Sequence, residues 1–459
     1  MKKFLTGLSV VAMASVAIGC SDNDAGGNTE GSENTEGEPV ALSFASWALG
    51  TEEELNLDRM MIDAFEEEYP HITVEIDESI SPEDWNGSLS TAASASDMPD
   101  VFLLAQIPTG LSNDWLMNIE EFTSSDEDFQ LVPEPVQESV TYDDSVYAIP
   151  SGQHFLGYFI NEDLFEQGNL DVPQYGLPLD DFSSLVRDVT DVNGGVAGMN
   201  HPWSIVDWYP AAADSSLGWY TYSDEGYQLD SGAFIEGVNF AESLISNNLT
   251  YETLSEDQQA NFNGEDPEQV WINGGVGFKW DGTWGITEMN QNLDYNWDFV
   301  GIPNGNPVLV NDYMGIAQST EHPEEAYLFA KWMTFGKDGF MKRLEIAQEE
   351  GQIVNTMPLT SDQEVLDVYF EGFAVPGILE AYENIEDAIV EPVKTVPGYT
   401  DSRWEAPTGV SLNDEIPNAT IANLLDAGIQ GEIQIENYIS QINDLANEKY
   451  EEGQETLNR

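Results

Sequence analysis

Cysteine is almost absent. Cys20 is the only one in 459 residues, so no disulfide can close within the chain and no cysteine-rich metal site can form. Basic residues are scarce too. Thirteen Lys and Arg face 85 Asp and Glu, a formal net charge of −72. No basic stripe exists on which a phosphate backbone could lie, which argues against nucleic-acid binding. The four histidines, His71, His154, His201 and His322, show no metal-ligand spacing. Asp22-Asn23-Asp24 has the opening of a calcium loop, but the later ligands and the closing Glu are misplaced. There is no G-x-S-x-G nucleophile elbow and no phosphate-cradling P-loop. Among so many carboxylates, finding two that could act as an acid–base pair carries no information. The expectation is a protein without metal, cofactor or catalysis.

Long apolar runs are also lacking, with one exception at the start. Lys2 and Lys3 precede an apolar run over residues 4–18, broken by Thr6, Gly7, Ser9 and Ser15. It is short for a membrane span and reads as a signal segment. Ala17-Ile18-Gly19-Cys20 resembles the lipobox of bacterial lipoproteins, with Ala17 where Leu is commoner. The expectation is that residues 1–19 are removed and Cys20 is lipidated, anchoring an exported chain to the membrane. Residues 20–39 contain one apolar side chain, Ala25, apart from the cysteine itself and Pro39. They cannot bury anything and should form a tether, at roughly 3.3 Å per extended residue. The acid is spread along the chain, as at Glu52-Glu53-Glu54, Glu66-Glu67-Glu68 and Glu349-Glu350. That distribution resembles exported proteins of halophiles and suits screening by salt better than capture of one cationic ligand.

Length exceeds one ordinary domain, so two lobes are expected. Residues 41–45, 72–76, 101–105 and 275–279 read as strands. Residues 52–69, 85–95, 234–247 and 433–452 read as amphipathic helices, and Pro323 opens another. This alternation implies α/β layers on a largely parallel sheet.

Five segments, in order, carry a family resemblance. They are Phe44-Ala45-Ser46-Trp47 with the following helix and strand; Ser96-Asp97-Met98-Pro99-Asp100-Val101-Phe102; Thr141 to Pro150 with its continuation to Phe165; Gly275 to Trp284; and His322-Pro323-Glu324-Glu325-Ala326-Tyr327. Together they resemble the sugar-type extracellular solute-binding proteins of ABC importers, the maltose-binding-protein-like group. Two positions depart from the pattern: Asp144 stands where Gly is usual, and Trp280 where a small apolar residue is often found.

The resemblance implies a two-lobed α/β periplasmic-binding-protein fold with the ligand cleft between the lobes. Residues 40–150 and 308–356 would form the first lobe, and residues 151–307 and 357–459 the second. Crossings would fall near 149–155, 307–314 and 353–359. Implied partners are a mono- or oligosaccharide, the permease subunits of an importer, and the membrane through the lipid, with the chain itself a monomer.

Aromatic rings stack on the C–H faces of sugars while amides and carboxylates bind the hydroxyls. Trp47, Trp203, Trp208, Trp284 and Trp404 sit in loop-like settings beside polar residues, although any one of them could equally be a core aromatic. Trp284 matches a recurrent ligand-facing loop of the family, with Asp281 beside it. Trp47 and Gln106 lie just after expected strands. Gln153, Trp208, Asp312, Tyr313 and Arg403 complete the expected ligand-binding set; pairing with a core acid is as good an account of Arg403. Two alternatives stay open: the same transport role for a polyol, compatible solute, peptide or polyamine, and a secreted glycan-active lipoprotein.

Overall fold

The computed structural model describes residues 38–457 apart from 52–54, 224 and 372–374. The signal segment, Cys20, most of the tether and Glu52-Glu53-Glu54 lie outside the described residues.

The strands are β1 (Val40–Ala45), β2 (Ile72–Ile76), β3 (Val101–Leu104), β4 (Thr141–Tyr142), β5 (Ser145–Val146), β6 (Ile149–Asn161), β7 (Ala197–Met199), β8 (Val276–Gly282), β9 (Trp297–Gly301), β10 (Val308–Ile316) and β11 (Ile389–Val390). Nine of them form one sheet, with seven along the path β2-β1-β3-β10-β6-β8-β7 and with β11 added on β10 and β9 on β6. The expected largely parallel sheet is therefore corrected to a mixed one. β1 pairs in parallel with β2 and β3, and β7 with β8. In the middle, β10 is antiparallel to β3 and to β6, and β6 is antiparallel to β8 and β9. The cause is the pair of long central strands. β6 pairs through residues 149–155 with β10, then through 156–160 with β8. It belongs to both lobes, and β10 runs back beside it.

Local chemistry sets the element ends. The helix Leu57–Glu68 starts where the Asn56 side chain accepts from the Arg59 amide at 3.1 Å, and it buries Met61, Ile62 and Phe65. Its start lies after residue 52, the expected beginning. The helix Trp85–Ala95 ends at Ser96 in the left-handed region, φ 59°. The turn between β4 and β5 places Asp143 at φ 49° and Asp144 at φ 59°. This is why glycine is usual there and why a short Asp can replace it. The last helix is Ile439–Leu457, later than the apolar period from Ile433 suggests, because the 3-10 turn Ile435–Asn437 buries Ile435 first.

Two apolar clusters make the cores. One holds Phe44, Phe65, Phe102 and Phe329; the other holds Tyr158, Phe182, Trp208 and Phe278. Beyond residue 357 the chain stays packed on the first cluster. The Ser361 amide donates to the Leu131 carbonyl at 2.7 Å, Asp362 pairs with Lys337 at 3.1 Å, and Tyr369 meets Phe340 at 6.1 Å. Residues 361–370 thus keep the first core covered. Val396, Tyr399, Leu424 and Ile442 pack in the second.

Candidate ligand-binding cleft

β1 delivers the chain at Ala45 into an open loop carrying Ser46 and Trp47. Trp47 is 37% exposed. One edge is held by Trp85, 4.7 Å away at 80°, whose indole N–H donates to the Leu103 carbonyl at 2.9 Å. The remainder of the Trp47 ring is free to stack.

The floor comes from the central strands. Alternation puts Gly152 and His154 on one face of β6, and Asp312 lies opposite Gly152 on β10. A Cβ on Gly152 would come within 3.3 Å of the Asp312 carboxylate, so a side chain here would crowd that group. Trp47, His154, Asp312, Asn355 and Arg343 line a cavity of 260 Å³.

Trp284 approaches from the second lobe and is 44% exposed. Its ring lies against Gly282, where a Cβ would meet it at 2.3 Å. The Asp-Gly-Thr-Trp order thus lets the indole fold back over its own strand. Thr283 accepts from the Phe155 amide at 3.2 Å and holds the loop to β6. The Trp284 ring meets His154 edge-on at 5.5 Å.

Burial pulls the His154 imidazole down to about 4, against the raising effect of Asp312, while Lys394 lowers it further. The ring is neutral near pH 7, able to donate at one nitrogen and accept at the other. Asp312 is paired with Lys394 at 2.6 Å. Lys394 also donates to the Asn311 carbonyl at 3.2 Å.

The expected site residues divide. Trp47 and Asp312 share the cavity, and Trp284 stands beside it. Asp281 is tied down: one oxygen accepts from the Gly282 amide at 2.8 Å and the other pairs with Lys279 at 2.9 Å. Gln106 lies in a separate groove, where its amide donates to the Thr400 hydroxyl at 2.5 Å and links the first lobe to the segment after β11.

Four of the expected residues point into the cores and not into this cavity. Gln153 and Tyr313 are inward neighbours of His154 and Asp312. Gln153 donates to the Pro358 carbonyl at 3.0 Å, and the Tyr313 hydroxyl contacts that of Ser139 at 3.0 Å. Trp208 is fully buried in the second core, its indole donating to Tyr158 at 3.2 Å. Arg403 is paired with Asp207 and lies over Tyr220 at 4.5 Å and Trp404 at 4.9 Å. It props the Trp404 ring, which is 44% exposed.

His154 and Lys394 were missed by sequence reasoning. The signal for His154 was the period of two along β6, which sets it opposite to Gln153. Lys394 had none, since β11 is two residues long. A larger groove of 730 Å³ runs between the lobes past Tyr142, Tyr222 and Tyr450, but none of the three exposed tryptophans lines it.

A model of the family described as bacterial extracellular solute-binding protein matches residues 33–335. The chain belongs to that family. By sequence, no curated protein matches it. The fold of this solute-binding protein is shared with solved structures at low identity. An ABC substrate-binding protein from Listeria monocytogenes, in complex with cycloalternan, is 18% identical over 90% of this chain and 99% of its own, with a TM-score of 0.65. The sugar-binding protein MalE from Xanthomonas citri is 14% identical over 91% and 99%, with a TM-score of 0.66. A cyclic alpha-maltosyl-1,6-maltose binding protein from Arthrobacter globiformis is 15% identical over 91% and 100%, with a TM-score of 0.65. As an extracellular solute-binding protein, the chain is exported and works by holding a solute. The cavity next to Trp47 lies against β6 and β10.

Proposed function

We propose that this cavity captures a saccharide and that the protein delivers it to the permease of an ABC importer. The observation that carries the reading is the pair of part-open indoles, Trp47 from one lobe and Trp284 from the other, on either side of His154. Two rings can stack on pyranose faces, while the neutral imidazole, Asn355 and Asp312 meet the hydroxyls. Trp404 offers a third ring for a longer chain. The structural neighbours named for sugars support the same reading.

Capture requires the lobes to approach. Flexing of β6, β10 and residues 353–359 brings Trp284 toward Trp47, as in hinge closure around a ligand. Asn355 already accepts from Thr287 of the second lobe, so the third crossing senses the position of that lobe. Lipidation at Cys20 would keep the protein at the membrane, close to its permease. Intact-mass analysis should find a chain beginning at a lipidated Cys20, and Cys20→Ala should release it; an unmodified chain still carrying Met1 contradicts the anchor.

The test of the ligand class is a thermal-shift screen of mono- and oligosaccharides, polyols, amino acids and polyamines in molar salt. A saccharide should raise the melting temperature. A shift with a polyamine or peptide and none with any carbohydrate at millimolar concentration overturns the proposal.

A further inference from the structure

The chain carries 85 acidic and 13 basic residues, so most carboxylates can have no cation beside them. The cavity next to Trp47 is different. Three ordinarily charged side chains line it: Asp58, Asp312 and Arg343. Arg343 is paired with Asp58, and Asp312 is paired with Lys394 at 2.6 Å. The remaining titratable group there, His154, is neutral near pH 7 because it is buried. Two of the few basic residues are thus used to cancel the two acids of one small cavity. Across from it, Lys279 is shared between Asp281 beside Trp284 at 2.9 Å and Glu268 at 2.6 Å, and Glu288 lies exposed at the outer edge, so that side keeps net negative charge and the matching of acid by base is confined to the cavity next to Trp47.

We infer that the bound saccharide is uncharged, and that the pairs Asp58–Arg343 and Asp312–Lys394 set this preference by leaving neither a free cation nor a free carboxylate in the cavity. The inference rests on the saccharide reading and narrows it. An anionic sugar would need Lys394 or Arg343 released from its carboxylate. Breaking either pair leaves a part-buried charge without a partner, which is strongly unfavourable. The polyanionic exterior adds repulsion on the way in. A cationic amino sugar meets the mirror problem, since each carboxylate is already matched. A neutral hydroxyl meets neither. Asp312 is 43% exposed, and a carboxylate has about four lone-pair sites, so it can accept from a hydroxyl without leaving Lys394.

The experiment uses the full chain in molar salt and matched probes that differ only in charge. These are glucose-, galactose-, mannose- and xylose-based oligosaccharides, with the corresponding uronate and amino-sugar forms where they exist. A neutral member should bind at least about tenfold tighter than its charged counterparts. A uronate or amino sugar that binds as tightly as its neutral parent overturns this inference and leaves the saccharide reading standing. Failure of every carbohydrate overturns both. The second arm is Lys394→Met, checked for folding by circular dichroism. It uncovers Asp312 and should shift the ratio of amino-sugar to neutral-sugar affinity about tenfold toward the amino sugar. An unchanged ratio in the folded variant shows that the pair does not set the charge preference.

Discussion

His154 and Glu391 carry opposite pH dependences, and each can be read separately. His154 has an ordinary value of 6.5 and is lowered to about 4 by burial. Between those values the unfolded chain holds the extra proton, so this side chain destabilises the fold as pH drops from 6.5 to 4. Glu391 is raised from 4.5 to about 7, first by burial and then by the charge of Asp207. Between those values the folded state holds the extra proton. Its contribution is fully present below 4.5 and is lost as pH rises through 7. Urea denaturation across a pH series should therefore show a shallower acid-side loss in His154→Gln and a shallower loss toward neutrality in Glu391→Gln. In Glu391→Gln, where no carboxylate titrates near 7 beside Lys394, ligand affinity should be flat from about pH 8 to about pH 5.5, because His154 keeps one protonation state over that range. An affinity that changes tenfold near pH 6.5 would place the ring in water.

These residues also show where sequence reading stops. Trp47 and Trp284 were visible because an exposed indole beside Gly, Ser or Asp is conspicuous in a loop. Gln153 and Tyr313 were chosen one position away from His154 and Asp312. They lie on the opposite face of the same strands, because a strand turns successive side chains to opposite sides. Asp281 and Arg403 were legible as polar residues near the right loops. Their partners, Lys279 and Asp207, are set by packing, which spacing along the chain does not report.

Among the elements, helices and strands with a clear period were legible. Ile72–Ile76 and Trp85–Ala95 match their expected bounds. The direction of β10 was not legible, since a buried strand reads the same either way, and that is what made the sheet mixed. β6 is the element on which the site depends most. Gly157 lies where β6 presses on β9, and a Cβ there would sit 2.7 Å from the Gly301 Cα. Gly157→Ala must push the strands apart and should cost about 1–3 kcal/mol by overpacking. Gly232, at the start of a helix with nothing within 4 Å, is the control: Gly232→Ala should be neutral or slightly stabilising. Equal denaturation midpoints for the two variants would show that β6 and β9 are less tightly joined than described.

For the whole molecule, the dominant quantity is the net charge of −72. Carboxylates are distributed over both lobes, and the few cations are drawn into local pairs such as Lys331 with Asp126 and Asp128. Self-repulsion therefore opposes the compact fold at low salt, and screening over about 3 Å at molar salt relieves it. Denaturation midpoints should rise as salt goes from millimolar to molar. Flat or falling midpoints would contradict this account of the acidity.

The claim that the two lobes clasp a saccharide between Trp47 and Trp284 is tested most directly by titration calorimetry with the sugar found by screening. Wild type is compared with Trp47→Ala and Trp284→Ala in molar salt. Each variant should fold normally and lose about 1–3 kcal/mol of binding, one to two decades in affinity. Trp203→Phe, whose indole donates to Asp426 at 2.8 Å away from the cavity, should bind as wild type does. Unchanged affinity in folded Trp47→Ala and Trp284→Ala would contradict the account and place the sugar elsewhere on the protein.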